Sequence, residues 1–237
     1  MAIPSPDALC AQYLIPVGKT PCDPPNWPDN RETWATLGKW VIATNVSGVV
    51  TTKSAALGGQ LILHPDGPQA EFPDYDVFIR TADTYDLRGY EIIVRVEPSR
   101  GGDGYQTMLE VLSPVEGVGN PWPIASVEAA DNSGGQLRAF VQYLGASQLE
   151  TPTYARASHV YWRMRFGHDS DYIQIDVAGD CGTWANLIDL ANPDPGAFPM
   201  TCMSIRIFDN IWDGAITGDE VTRIGPMWIR PFDAPES

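Results

Sequence analysis

The 237-residue sequence predicts an all-β protein: two antiparallel sheets packed as a sandwich, behind a short helical and extended N-terminal arm. Three observations carry this. Short runs rich in β-branched and aromatic residues recur along the chain, each bounded by Gly, Pro, Asn or Asp. Within them apolar and polar residues alternate with period two, as in "GYEIIVRVEP", where Tyr90, Ile92, Val94 and Val96 face one way and Glu91, Ile93, Arg95 and Glu97 the other. No long helical pattern separates the runs, and parallel strands would need crossover helices, so the pairing is antiparallel.

Residues 1–37 form the arm. Ser5 with Pro6 and Asp7 is an N-cap followed by proline at the first helical position, which predicts a short helix from Asp7 to Leu14. "PVGKTPCDPPNWPDN" is too proline-rich for regular structure and reads as an extended segment. Asn30 caps a second short helix through Thr36, with Gly38 ending it. Residues 38–231 then hold the strands: Trp40 to Ala43, Val49 to Thr52, Gln60 to Leu63, Val77 to Thr81, Tyr90 to Glu97, Thr107 to Leu112, Ile124 to Ala129, Gln136 to Tyr143, His159 to Phe166, Tyr172 to Val177, Ser204 to Phe208 and Thr222 to Arg230. Ile205, Ile207, Ile224 and Trp228 read as one inner face, and Trp40 and Trp162 as core. The acidic, proline-bearing tail, 232–237, frays.

Composition excludes several partners. At 43% hydrophobic content the chain can bury a core. A formal charge of −15 repels phosphate backbones and anionic lipid, so no nucleic acid and no membrane is expected as partner. "MAIPSPDALCAQYL" lacks the basic and apolar regions of a signal peptide. Cys10, Cys22, Cys181 and Cys202 lack zinc-site spacing. Local closure, Cys10 with Cys22 and Cys181 with Cys202, is one reading of them; four reduced, buried thiols is the other.

Three stretches carry a resemblance: "TYDLRGYEIIVRVEP", the hairpin "YWRMRFGHDSDYIQIDVAGDCGTWANL" and the closing strand "VTRIGPMWIRP". Together they resemble the concanavalin A-like lectin/glucanase jelly roll, including its laminin-G-like relatives. The hairpin, with a W-R-x-R strand, a turn, a strand and a D-x-x-T-W turn, is similar to modules of actinobacteriophage tail proteins. The resemblance implies a jelly-roll sandwich over most of the chain.

It also defines a test for catalysis. Glucanases of this fold set their carboxyl pair along one strand as E-x-D-x-x-E, and a retaining mechanism needs the two about 5 to 5.5 Å apart. The matching stretch here runs from Gln174 through Asp176 to Gly179, so only the central acid is present. Gln174 cannot ionise and Gly179 has no side chain, while Asp180 is one residue out of phase. His64, His159 and His168 show no metal or triad spacing.

The resemblance implies calcium as an optional cofactor at loop carboxylates: Asp169 and Asp171 in one turn, and Asp209, Asn210 and Asp213 in "FDNIWDG". Asp and Asn bonding their own turn backbone is the competing reading. Trp122, Trp184 and Trp212 fall in loops and, with Asp176, are the carbohydrate-contact candidates; packing over the sandwich end competes there too. The expectation that follows is a non-enzymatic bacteriophage virion protein, a minor tail or surface component. It would contact other virion proteins through its arm, form a homo-oligomer within the assembly and hold a cell-surface glycan. Three lysines against twelve arginines, with abundant Ala, Gly and Pro, suit a GC-rich genome. The alternatives are a free carbohydrate-binding module and a polysaccharide hydrolase or lyase.

Overall fold

A computed structural model describes residues 31–32, 34, 40–44, 50–54, 60–64, 75–97, 105–113, 124–130, 137–143, 146–150, 154–155, 157–169, 171–180, 182–192, 195, 198–211 and 222–232. They contain fifteen strands and no helix: Arg31–Glu32 (β1), Trp40–Thr44 (β2), Val50–Ser54 (β3), Gln60–His64 (β4), Tyr75–Thr81 (β5), Tyr90–Glu97 (β6), Tyr105–Leu112 (β7), Ile124–Ala130 (β8), Leu137–Tyr143 (β9), Ala146–Glu150 (β10), Tyr161–Phe166 (β11), Tyr172–Ala178 (β12), Ala185–Ala191 (β13), Ser204–Ile211 (β14) and Thr222–Pro231 (β15). One sheet runs β13-β12-β11-β6-β15-β4-β3, with β1 also paired to β15, and the other runs β10-β9-β8-β7-β14-β5-β2. Pairing between the named strands is antiparallel throughout. This is the two-sheet sandwich that the alternation predicts, and each of the twelve expected strands is present within a residue or two of its expected start.

Period-two alternation builds the core. Ile92 and Val94 of β6, Trp162 and Met164 of β11, and Ile175 and Val177 of β12 are fully buried, facing Leu109, Val127, Ile205 and Ile207 from the second sheet. Each large apolar side chain buried in this way contributes roughly 1.5–3 kcal/mol.

Three expectations change. The second arm helix is absent: Arg31–Glu32 pair with Met227 and Trp228 of β15, and Trp34 is fully buried with its Nε1 donating to the Gly225 carbonyl at 2.6 Å. Sheet pairing and burial of an indole outweigh a local capping signal there. Trp228 does not join the inner face. The β15–β6 register shifts between Ile224 and Met227, so Gly225 and Pro226 together face Arg95, and the bulge turns Trp228 outward to a half-buried position. A Cβ added at Gly225 would stand 3.0 Å from the Arg95 Cβ, which is why glycine fits this position. β1, β10 and β13 were not foreseen, being short or polar. The predicted helix at Asp7 to Leu14 lies outside the described residues.

Candidate functional site

The register places one group of side chains on the outer face of the first sheet. β11 sets Arg165 opposite Glu91 and Arg163 opposite Ile93 of β6; β12 sets Gln174 opposite Arg165 and Asp176 opposite Arg163. β15 brings Arg230 opposite Glu91, and β13 brings Asp189 opposite Gln174 and Asn186 opposite Asp176. Two rows therefore cross the sheet: Arg230, Glu91, Arg165, Gln174, Asp189, and beside them Trp228, Ile93, Arg163, Asp176, Asn186.

Charge is buried here by charge. Asp176 accepts from Arg163 at Oδ2, from Nε at 3.0 Å and Nη2 at 2.8 Å. Its Oδ1 accepts from Asn186 Nδ2 at 3.0 Å and from Gln174 Nε2 at 3.4 Å. Glu91 accepts from Arg165 Nε at 3.0 Å on Oε2 and from Arg230 Nε at 2.7 Å on Oε1. Arg163 Nη1 stands 4.0 Å from Glu91, so one guanidinium lies between the two acids. Side-chain exposure is 4% for Glu91, 2% for Asp176 and 9% for Arg163, against 52% for Arg230. Burial lowers the Arg163 pKa from its ordinary value, opposed by the bond to Asp176.

A turn supplies the lid of Arg163. Asp180 Oδ1 accepts from the backbone N–H of Gly182 at 2.8 Å and of Thr183 at 2.9 Å, and these bonds hold the exposed Asp180 carboxyl below its usual range. The turn delivers Trp184, whose ring centroid lies 4.1 Å from Arg163 Cζ in a cation–π contact. At the other end Phe232, expected to open the fraying tail, is instead fixed: its N–H donates to the Gly89 carbonyl at 3.1 Å and its ring is buried beneath Arg165, whose Cζ lies 5.4 Å away, and meets Tyr172 edge-on at 6.3 Å. Burial raises the Tyr172 pKa, and its hydroxyl has no hydrogen-bond partner among the described residues.

Of the predicted carbohydrate contacts, Asp176 and Trp184 meet at one site, joined through Arg163, while Trp122 and Trp212 lie outside the described residues. Asp180 holds its own turn and is no second acid. Glu91, Arg163, Arg165 and Arg230 are site residues that the sequence reading missed. Their signal was the shared parity of Glu91 with Ile93, and of Arg163 with Arg165 in "YWRMRF".

The calcium candidates divide. Asp169 and Asp171 stand exposed around the β11–β12 turn, whereas Asp209 is fully buried and lies with Asn210 in β14, opposite Thr107 and Val77, not in a turn. Asp213 lies outside the described residues, among which no group of three or more His, Cys, Asp or Glu side chains is placed to hold a metal. Cys202 is buried and disulfide-bonded; Cys10, Cys22 and Cys181 lie outside the described residues. His159 is tied to Ala155 and Ser158, and His168 stacks on Phe232, so both serve local structure.

Comparison with known families and with curated proteins returns no match. Solved structures do match. A β-1,3-1,4-glucanase (lichenase) from a mouse hindgut metagenome superposes with a TM-score of 0.54 at 15% identity, covering 85% of this chain and 97% of that one. A glycosyl hydrolase family protein from Mycobacterium fortuitum gives 0.56 at 14% identity, covering 89% and 95%. A structure from work on endo-acting O-glycanases of human gut microbiota, which initiate mucin breakdown, gives 0.59 at 12% identity, covering 84% and 94%. At such identities the likeness establishes the fold, the jelly roll of the glucanases. It overturns the expectation of a non-enzymatic bacteriophage virion protein, since these neighbours are glycoside hydrolases and none of them is a tail protein. The likeness of the W-R-x-R hairpin to tail-protein modules finds no support among these neighbours.

Proposed function

We propose that this chain is a polysaccharide hydrolase acting on the outer face of the first sheet, with Glu91 and Asp176 as its carboxyl groups and Trp184 as a sugar platform. The observation that carries the reading is the pair of nearly buried acids on one face, held by arginines, in a fold whose neighbours are glycosidases. Hydrolysis of a glycosidic bond needs one carboxyl to protonate the leaving oxygen and another to activate water or attack carbon. The same-strand pair of the glucanases is replaced here by acids on β6 and β12, which flank β11. Two strand spacings of about 4.8 Å, combined with the two-residue offset of Asp176 from the row of Glu91, set their backbones roughly 12 Å apart.

In the unliganded arrangement both oxygens of each acid accept N–H bonds. The test is release of reducing ends from mixed-linkage β-1,3-1,4-glucan, mucin O-glycans and a wider glycan panel. We expect turnover of at least one, and a loss of about 10²-fold or more in folded Asp176→Asn and Glu91→Gln. Glycan binding with no turnover of any panel member overturns the hydrolase reading.

A further inference from the structure

We infer that Arg165 and Arg230 form a receptor for an acidic group on the bound sugar chain, a uronate carboxylate or a sulfate ester. The inference rests on the reading of this face as a glycan site and names the substrate class. Both arginines hold Glu91 through Nε, on different oxygens, at 3.0 and 2.7 Å. That anchoring fixes the two guanidinium planes and leaves their terminal nitrogens for something else. Among the described residues neither Arg230 terminal nitrogen has a hydrogen bond, and Arg165 engages only Nη1, at 3.4 Å, with Gln174. Phe232 lies beneath Arg165, which further restricts its plane.

Charge balance points the same way. Three guanidinium groups surround two carboxylates at the centre of this face, a local excess of one positive charge in a chain of net charge −15, the third carboxylate of the row, Asp189, standing two strands from Arg165. Arg163 with Asp176 is already a complete pair, so the surplus falls on the two arginines that share Glu91. Arg230 is half exposed where Glu91 beneath it is buried, so the open side of the pair is cationic. Planar forks of this kind match the oxygens of a carboxylate or sulfate two by two. At the opposite end of the row the exposed Asp189 repels an anion, which sets the acidic group at the β15 end.

The experiment measures binding and no turnover, so failure of the hydrolase reading shows separately. Calorimetry with the full chain uses oligogalacturonate, a carrageenan oligosaccharide and a neutral mixed-linkage glucan oligosaccharide, at low and near-physiological salt. One acidic chain is expected to bind at least about tenfold tighter than the neutral one and to weaken with salt. Which acidic chain it is separates uronate from sulfate. Arg230→Gln and Arg165→Gln should each lose about tenfold for it, with Arg230→Lys recovering little, because a single ammonium does not reproduce the fork. Arg223→Gln removes the same charge from an exposed position of the same strand and should bind as wild type. The inference is overturned if the neutral chain binds as tightly as the acidic ones, if no acidic chain binds, or if Arg223→Gln weakens binding as much as Arg230→Gln.

Discussion

The two faces of β11 are buried to a similar degree by opposite means. Trp162, Met164 and Phe166 are buried because the second sheet covers them. Arg163 is nearly as buried, 7% exposed, on the face that turns away from that sheet, because Asp176, Glu91 and Trp184 surround it. Apolar burial of the first kind stabilises outright. Burial of the second kind requires removing ions from water, and the return from pairing seldom exceeds that loss, so an apolar patch would hold the sheet as well or better. A charged network buried under that handicap is one that the stability of the sheet does not require.

That contrast can be broken from either side. The largest expected effect is on the inner face: Trp162→Ala removes a fully buried indole that bridges the sheets, and should lower stability by about 3–5 kcal/mol in chemical denaturation. On the outer face Asp176→Ala strands a buried guanidinium and should cost about 3 kcal/mol. Replacing both partners, Arg163→Met with Asp176→Leu, should recover that loss to within about 1 kcal/mol of wild type or exceed it. If the double variant stays as unstable as the single one, the network is structural and the contrast fails. The smallest effect concerns the Trp184 turn. Its two N–H bonds depress the Asp180 carboxyl, so that contribution is present above the usual carboxylate range and disappears as pH falls through the lowered value. The indole resonance of Trp184 should therefore shift in acid in the wild type and show no such transition in Asp180→Ala.

The sheet elements were legible because alternation is local: Ile92, Val94 and Val96 announce their common face within one run of eight residues. The D-x-x-T-W turn was legible for the same reason, since Asp180 bonds residues two and three places on. What joins the site was not. Glu91 meets Arg165 across 74 residues and Arg230 across 139, and no pattern in either segment marks the other as its neighbour. Trp228 was misread because the Gly225-Pro226 bulge inserts one residue and reverses the parity that the count relied on. β1 was misread because its pairing and the Trp34 bond to Gly225 span nearly the whole chain. The glucanase pattern keeps both acids on one strand, whereas Glu91 lies on β6, two strands from Asp176 on β12, where a single-strand motif does not reach.

Glycan turnover by the Arg163→Met, Asp176→Leu double variant, compared with wild type at matched folded concentration, bears most directly on whether the outer face exists for catalysis. The account predicts a folded protein of near-native stability that releases no reducing ends from the glycan the wild type cleaves. Retained cleavage by that variant would contradict it.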